Sequence, residues 1–272
     1  MLIYGDKIRE NIKKTVAQAA QQMTMSMVVI RIGGDKSSQS YINGIKKFGD
    51  ETGVKVEIAN LPATISQEAA LKYIEELNRD PGVKGIMLQT PLPVHLETSV
   101  LANAVDYKKD VEGIHNYNLG KLISKQNGIQ PATPKAVIDM LKHYNVEIEG
   151  QKVCIVGRSS ILGSPLAMMM SSENGTVTLC HSRTRNLANE TRRADIVIAA
   201  VGKANFIKPE MVSEESVLID VGINFDEQGN MVGDIHKEAK AKARMASAVP
   251  GGVGLITVAE LFNNLRIICL NK

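Results

Sequence analysis

The sequence predicts an α/β protein with two domains, on three observations. Its 272 residues correspond to about 1.8 domains at roughly 150 residues per domain. Strand and helix signals alternate along most of the chain, which favours parallel strands packed against helices in an α/β sandwich. After Gly150 a second series of short aliphatic runs begins, and such runs are typical of a parallel sheet that is buried on both faces.

The first predicted domain begins with a short strand and an amphipathic helix over 1–16. A β-branched run that stops at two glycines predicts the next strand. Ser66 has the residue type and position of a helix N-cap in SQEAALKYIEELNRD. The elements predicted in this half are strands over 26–34, 54–61 and 83–90 and helices over 40–50, 66–80 and 96–104.

The second predicted domain follows a helix over 134–144 that has a proline in its first turn. A last helix over 256–270 is expected to pack back on the first domain. The strands of the second series are predicted over 152–157, 176–182, 194–202 and 216–222. The predicted boundaries are therefore 1–137 together with 256–272 for the first domain and 138–255 for the second.

Composition argues against several classes of protein. Hydrophobic residues make up 44% and charged residues 22%, which is typical of globular proteins. A net charge of +3 is too small to indicate binding to nucleic acid or to a membrane surface. The N-terminus lacks the apolar core of a signal peptide, and no apolar run approaches the ~18–20 residues that span a bilayer, so we expect a cytoplasmic protein. Three widely spaced cysteines and five dispersed histidines favour buried free thiols and no metal site.

The loop after the first strand of the second series has the character of a phosphate-binding loop. Its pattern G-x-S-x-x-x-G begins at Gly157 and differs from the standard G-x-G-x-x-G, but it still directs backbone N–H groups and a helix N-terminus at an anion. An ordinary strand-to-helix turn is the alternative. The next strand ends in HSRT (181–184), where NAD-binding folds usually have a carboxylate. Arg158, Ser182 and Arg183 offer positive charge and a donor for a 2′-phosphate, which predicts NADP rather than NAD.

Eight short motifs are distributed along the chain between residues 38 and 254: SQSYI (38–42), QTPLP (89–93), KDVEG (109–113), PATP (131–134), GRS (157–159), HSRT (181–184), DVGIN (220–224) and VPGGVG (249–254). On these motifs the chain resembles the methylenetetrahydrofolate dehydrogenase/cyclohydrolase family over essentially its whole length.

The resemblance implies an N-terminal α/β folate-binding domain, a Rossmann-type NADP-binding domain with a parallel sheet, a cleft between them and a homodimer. It implies NADP-dependent oxidation of 5,10-methylenetetrahydrofolate to 5,10-methenyltetrahydrofolate, and hydrolysis of that cation to 10-formyltetrahydrofolate. These reactions belong to one-carbon metabolism and purine biosynthesis. Hydride transfer needs mainly positioning because the cofactor carries the chemistry, whereas hydrolysis also needs an acid–base group.

The resemblance also assigns residues to the site. Catalytic roles are expected for Tyr41, Gln89 and Glu112. Substrate contacts are expected from Tyr41, Gln89, Pro91, Glu112, Gly251 and Gly252. Cofactor contacts are expected from Gly157, Arg158, Ser159, Ser182, Arg183 and Ile223.

The chain departs from the family at three positions. The family has a catalytic Lys four residues after the motif Tyr, and here Ile45 occupies that position, on the same helix face as Tyr41. Lys46 lies about 100° further around the helix, so it would substitute only if its side chain curls back or the helix slips by one residue. Glu112 replaces an Asp, which changes the reach of the carboxylate by ~1.5 Å, and Leu255 replaces a Pro. Loss of an acid–base group costs about 10²–10⁴-fold, so we expect a dehydrogenase with weak or absent cyclohydrolase activity.

Two other classes of protein stay open at this point. A shikimate-type NADP dehydrogenase would have a similar domain order but should show a Lys–Asp catalytic pair. A non-catalytic folate- or NADP-binding protein could derive from an enzyme that lost its Lys. Structural interpretations also stay open for single residues: Tyr41 as a half-buried core aromatic, Gln89 as an amide that satisfies backbone groups, and Asp110 as a turn residue.

Overall fold

The computed structural model describes residues 1–34 and 37–271 and forms two compact α/β units. The three-stranded unit consists of residues 10–132 and the chain from 258 onward, and the six-stranded unit consists of residues 1–9 and 133–257. The predicted α/β class with two domains is confirmed. Lys272, the last residue of the segment 256–272 that is predicted to belong to the first domain, lies outside the described residues.

The N-terminal boundary differs from the predicted one. Strand β1 (Leu2–Ile3) pairs in parallel with β11 (Met245–Ser247), so the first nine residues belong to the six-stranded unit although 1–137 was predicted as one domain. A two-residue strand carries no local pattern that identifies a partner some 240 residues away along the chain. The other two boundaries fall inside helices, at 132/133 in α6 (Ala132–His143) and at 257/258 in α10 (Val253–Leu270).

The three-stranded unit has a parallel sheet covered by helices. Its sheet order is β3-β2-β4, and Val29 of the central strand stands beside both Ile58 and Met87. The predicted cap is confirmed, because the Ser66 hydroxyl accepts a hydrogen bond from Ala69 N at 3.1 Å. Its elements are α1 (Asp6–Gln22), which enters this unit at Glu10, β2 (Ser26–Ile32), α2 (Ser37–Thr52), β3 (Lys55–Leu61), α3 (Gln67–Arg79), β4 (Gly85–Leu88), α4 (Thr98–Ala104) and α5 (Asn116–Ile123).

The C-terminal helix α10 (Val253–Leu270) supplies much of the core of this unit. Its Phe262 packs against Phe48 of α2 with ring centroids 4.7 Å apart. The buried Asn264 amide donates hydrogen bonds to Val111 O and Gln130 O, both at 2.9 Å. One helix side chain therefore ties the KDVEG segment to the loop that precedes α6.

The same helix is long and apolar enough, by length and composition alone, to cross a membrane, with a mean hydropathy of 1.6. The sequence contains no uninterrupted apolar run of this length, because Glu260, Asn264 and Arg266 lie within the helix. In the structure 61% of this segment is buried, and a buried core helix meets the same criteria, so the finding is weak support for a membrane span.

The six-stranded unit has an all-parallel sheet in the order β1-β11-β8-β7-β5-β6. Counted from β5, the strand order is 2-1-3-4-5, which is a common doubly wound order with its topological switch point between β5 and β7. The further elements are β5 (Lys152–Val156), α7 (Gly163–Ser172), β6 (Thr176–Cys180), α8 (Leu187–Arg192), β7 (Ile196–Ala199), a 3-10 turn (Pro209–Met211), β8 (Val217–Asp220), the hairpin β9 (Asn224–Phe225) and β10 (Met231–Val232), and α9 (Lys237–Lys242). The Rossmann-type sheet is confirmed.

Burial along these strands agrees with the prediction except at the sheet edge. Strands β7 and β8 are fully buried, and β5 is buried after its first residue. Strand β6 alternates between exposed and half-buried residues up to the buried Cys180, because it is an edge strand. The predicted buried free thiols are present at Cys154 and Cys180, whose sulfurs lie 3.7 Å apart, while Cys269 is half-buried.

Candidate active site

Gln89 extends β4 by one residue and has a buried amide. Its backbone N–H donates to Ile30 O at 2.9 Å, and its Nε2 donates to Thr90 O at 2.6 Å. Its Oε1 is buried and accepts no hydrogen bond from any residue that the structure describes. Because buried polar atoms are almost always paired, this oxygen fits a ligand that brings a hydrogen-bond donor.

Glu112 reaches the same strand end from the neighbouring KDVEG segment. Ile86 N donates to Lys109 O at 2.7 Å, which aligns this segment along β4, and Leu88 N donates to Glu112 Oε2 at 3.2 Å. Removal of the carboxyl from water, followed by the charge of Asp110, raises the pKa of Glu112 from 4.5 to about 8. The carboxyl group therefore carries a proton at neutral pH in the absence of ligand.

Asp110 organises the turn that carries Glu112. Its Oδ1 accepts a hydrogen bond from Gly113 N, and its Oδ2 accepts from His115 N and from the Asn118 amide, each at 2.9 Å. Burial raises the pKa of Asp110, and these hydrogen bonds oppose that rise. This geometry supports the interpretation of Asp110 as a turn residue.

Tyr41 lies on α2, half-buried against the apolar cluster that contains Ile45 and Phe48. Burial raises the pKa of its hydroxyl, and the charge of Glu112 raises it further. The hydroxyl group therefore stays protonated, and it lies within the electrostatic field of Glu112. The structure thus associates Tyr41 with the carboxyl group at the end of β4.

Ile45 is fully buried in that cluster, and Lys46 is exposed. Helix α2 is continuous from Ser37 to Thr52, and a Cβ on Gly49 would press against Val56, which shows that the helix packs closely on β3. The structure therefore contains no one-residue slip of α2 between 37 and 52. The residue on the core side of the helix, four positions after Tyr41, is apolar.

The remaining predicted substrate contacts lie in two places. Pro91 is exposed in the three-stranded unit and follows a cis peptide bond. Gly251 and Gly252 lie in the six-stranded unit, in a tight turn before α10. Gly251 has φ +101°, and a Cβ on Gly252 would overlap the carbonyl oxygen of Ala248, so this turn requires glycine at both positions.

The phosphate loop stands at the carboxyl end of β5, at the switch point. Gly157 has φ +129° and donates from its N–H to Cys180 O at 2.9 Å. A Cβ on Gly157 would overlap Ala200 O, and one on Gly163 would overlap Gly157 O. Arg158 and Ser159 are exposed in the turn between the glycines. The close backbone packing and the helix that begins at Gly163 form a cradle that fits a dinucleotide phosphate.

The turn after β6 presents the predicted cationic groups. His181 N donates to Thr184 Oγ1 at 2.8 Å, and Arg183 N donates to His181 Nδ1 at 3.1 Å. These bonds close the turn and leave Ser182 and Arg183 exposed. The turn HSRT contains no carboxylate, and its donor set fits a 2′-phosphate. Ile223, the last predicted cofactor contact, is 53% exposed beyond β8.

One feature of this sheet edge was missed by the sequence analysis. Asp234 is fully buried and accepts hydrogen bonds from backbone N–H groups of the loop after β7. The only signal in the sequence is a pair of glycines, Gly222 and Gly233, at which a Cβ would overlap a carboxylate of this region. Among the described residues, no group of three or more His, Cys, Asp or Glu side chains is arranged to hold a metal ion.

Fold and site together define an α/β protein that combines a doubly wound sheet, typical of dinucleotide-binding domains, with a second α/β unit. Comparison with family models specifies this class further. The chain belongs to the tetrahydrofolate dehydrogenase/cyclohydrolase family: the model of its catalytic domain matches residues 3–112, and the model of its NAD(P)-binding domain matches residues 131–272. This membership favours the folate family over the shikimate-type alternative.

Individual relatives agree with the family assignment over the whole chain. The chain is 61% identical to "Bifunctional protein FolD 2" of Syntrophomonas wolfei over 268 residues, which are 98% of each chain. It is similar to the crystal structure of the bifunctional methylenetetrahydrofolate dehydrogenase/cyclohydrolase FolD of Campylobacter jejuni, with 34% identity, a TM-score of 0.95 and coverage of 100% and 99%. It is also similar to the Trypanosoma brucei FolD complexed with NADP and an inhibitor, with 30% identity, a TM-score of 0.94 and coverage of 100% and 97%.

Proposed function

We propose that this protein is an NADP-dependent 5,10-methylenetetrahydrofolate dehydrogenase of one-carbon metabolism in which the cyclohydrolase activity is weak or absent. Family membership supports the dehydrogenase. The observation that carries the second part is Ile45, which is fully buried among apolar side chains on the Tyr41 face of α2.

For the hydride step the chain has to bind and orient its ligands. We assign Gln89 Oε1 and the Glu112 carboxyl as hydrogen-bonding partners of the folate ring, and Tyr41 as its packing partner. The phosphate loop at Gly157 and the exposed Arg183 would hold the dinucleotide. NADP, when bound, accepts the hydride from the methylene bridge of the substrate. Positioning of this kind needs no proton transfer by the protein.

Hydrolysis of the methenyl cation makes a further demand. A water molecule must lose a proton as it attacks the carbon, which requires a nearby base. Near pH 7 both Tyr41 and Glu112 hold their protons, Ile45 has no titratable group, and Lys46 is exposed. Glu112 becomes a carboxylate only as the pH passes about 8, so we expect slow hydrolysis that increases at alkaline pH.

The test follows NADPH and the methenyl product together during oxidation of 5,10-methylenetetrahydrofolate at pH 7. We expect the two products to appear in equal amounts and the methenyl compound to accumulate. Conversion of the methenyl compound to 10-formyltetrahydrofolate as fast as NADPH appears would contradict the proposal. Absence of NADPH at saturating folate would instead favour a non-catalytic binding protein.

Substitution at position 45 tests whether the apolar Ile45 is the reason for slow hydrolysis of the methenyl compound. Ile45→Lys should accelerate hydrolysis by about 10²-fold or more while NADPH formation changes little. Ile45→Met is the matched control, because it alters the packing of the same buried position without adding an amine. The melting temperature of each variant shows whether the buried position tolerates the change. Equal hydrolysis rates in two folded variants would refute the role of position 45.

We also propose the homodimer, the cytoplasmic location and the domain roles that the family resemblance implies. The three-stranded unit is then the folate domain and the six-stranded unit is the NADP domain. Light scattering should give a particle of about 59 kDa, which is twice the 29.5 kDa chain. A mass of one chain at micromolar concentration would contradict the dimer.

A further inference from the structure

Three consecutive backbone N–H groups after β7 converge on one buried carboxylate. Val201 N and Gly202 N donate to Asp234 Oδ2 at 2.6 and 3.0 Å, and Lys203 N donates to Oδ1 at 2.9 Å. The Asn224 amide donates to Oδ1 at 2.9 Å as a fourth bond. Successive N–H groups that point to one centre form an anion-binding nest, and here the chain fills that nest with its own carboxylate.

The carboxylate is held in place from behind. Asp220, buried at the end of β8, accepts hydrogen bonds from Asp234 N at 2.8 Å and Ile235 N at 3.0 Å, and its Oδ2 lies 2.7 Å from the Lys240 ammonium. A Cβ on Gly222 would overlap the Asp234 carboxylate, and one on Gly233 would overlap that of Asp220. The position of Asp234 is therefore determined by close packing and by charge-assisted hydrogen bonds on two sides.

The convergence of the N–H groups determines where the carbonyl groups point. In a planar trans peptide the C=O group is directed opposite to the N–H group of the next residue. The carbonyl groups of Ala200, Val201 and Gly202 are therefore directed away from Asp234. Ala200 O lies beside Gly157, because a Cβ there would overlap it. The loop thus presents a row of acceptors next to the phosphate loop, at the switch point between β5 and β7.

The row of acceptors selects the chemistry of the group that it can bind. An anion is excluded, since Asp234 occupies the nest and the oxygens carry partial negative charge. Groups with O–H or N–H donors are complementary, and the nicotinamide half of NADP has both, in its ribose hydroxyls and its carboxamide. We propose that Asp234 is a positioning residue that holds the 200–203 loop so that its carbonyl groups accept hydrogen bonds from the nicotinamide half of NADP.

This inference rests on the proposed NADP-dependent function, and the test separates the two. The Kd of NADPH is measured by fluorescence, and the Kd of 2′,5′-ADP, which represents the adenosine half alone, is measured by calorimetry. For Asp234→Asn, which keeps the shape but loses the charge and one acceptor, we expect the Kd of NADPH to rise about 10–100-fold. The Kd of 2′,5′-ADP should stay within about threefold, roughly 0.6 kcal/mol or less.

Asp226→Asn is the matched control. Asp226 also organises a backbone turn of the same unit, by accepting from Gln228 N at 3.0 Å and Asn230 N at 2.7 Å, and we expect no change in either Kd. If Asp234→Asn does not fold, Asn224→Ala removes one donor to the same carboxylate and should weaken NADPH binding selectively, to a smaller extent.

The two Kd values distinguish an error in the role assigned to Asp234 from an error in the proposed NADP-dependent function. Equal weakening of NADPH and 2′,5′-ADP would show a general structural role and overturn the inference. An unchanged Kd of NADPH in folded Asp234→Asn would also overturn it. Failure of the unsubstituted protein to bind NADPH would instead refute the proposed function.

Discussion

The carboxyl group of Glu112 should make the stability of this protein depend on pH in an unusual direction. Its pKa is about 8 in the folded chain and 4.5 in the unfolded chain. Between these values the folded state binds more protons than the unfolded state, so the free energy of unfolding decreases as the pH rises. Each tenfold change in proton affinity is worth ~1.4 kcal/mol, which gives an upper value of about 5 kcal/mol for the whole interval.

The perturbation is Glu112→Gln, which keeps the size of the side chain and an oxygen for Leu88 N but cannot ionise. Near pH 4.5 the variant and the unsubstituted protein should be about equally stable. Above pH 8 the variant should be more stable by about 3–5 kcal/mol, because only the unsubstituted protein then carries a buried charge. Urea unfolding at pH 5, 7 and 9 measures this difference. The expected gain is a large part of the total stability of a typical domain, ~5–15 kcal/mol.

The control for this pH dependence is a second Glu→Gln substitution, at a carboxylate that is exposed to water. Glu97→Gln, at an exposed carboxylate of the same unit, should follow the unsubstituted protein at all three pH values. A stability difference between Glu112→Gln and the unsubstituted protein that stays constant from pH 5 to pH 9 would show that Glu112 is already ionised in the folded chain. The account of slow hydrolysis near neutral pH would then lose its basis.

Three further substitutions test other parts of the structure. Gly157→Ala should abolish measurable NADPH binding in a fluorescence titration, because the methyl group would overlap Ala200 O and φ +129° is strained for alanine; retention of binding would refute the close packing of the loop. Arg183→Ala should raise the KM for NADP about 10–100-fold and leave that for NAD nearly unchanged, and equal effects on both cofactors would contradict the 2′-phosphate contact. Asn264→Ala leaves the carbonyl groups of Val111, which is buried, and of Gln130 without this donor and should cost ~2–4 kcal/mol in urea unfolding, against ~1 kcal/mol or less for the half-buried Asn263→Ala.

Several elements could be predicted from the sequence because their pattern is local. Strands β5, β7 and β8 are short aliphatic runs, and the observed strands lie within the predicted ranges. The cap at Ser66 and the sharp turn at Gly157 follow from single residue types at fixed positions. Helices α5, α8 and α9 were not predicted, since they are short and have six to eight residues with few buried side chains.

The properties of the candidate site depend on contacts that are distant along the chain. The pKa of Glu112 arises from burial against segments whose approach has no local signal. The same holds for Asp234, because its donors at 201–203 lie about thirty residues away. Residue types alone show that Ile45 is apolar and Lys46 is basic. The structure was needed to show that the first is buried and the second is exposed.

Each of the two units is formed by two separate stretches of the chain, so neither unit can be complete before its second stretch has been synthesised. The sheet of the six-stranded unit includes residues 2–3, and the core of the three-stranded unit includes α10. The segments of the six-stranded unit are therefore all synthesised only at residue 257, and those of the three-stranded unit only with α10, so neither half of the chain contains a complete domain. Fragments cut near residue 132 should be unstable when produced alone, and long-range pairing of this kind favours slow folding with aggregation-prone intermediates. A permuted chain that begins near residue 133 and joins the old termini through a linker would keep every segment and would complete the six-stranded unit before most of the three-stranded unit has been synthesised.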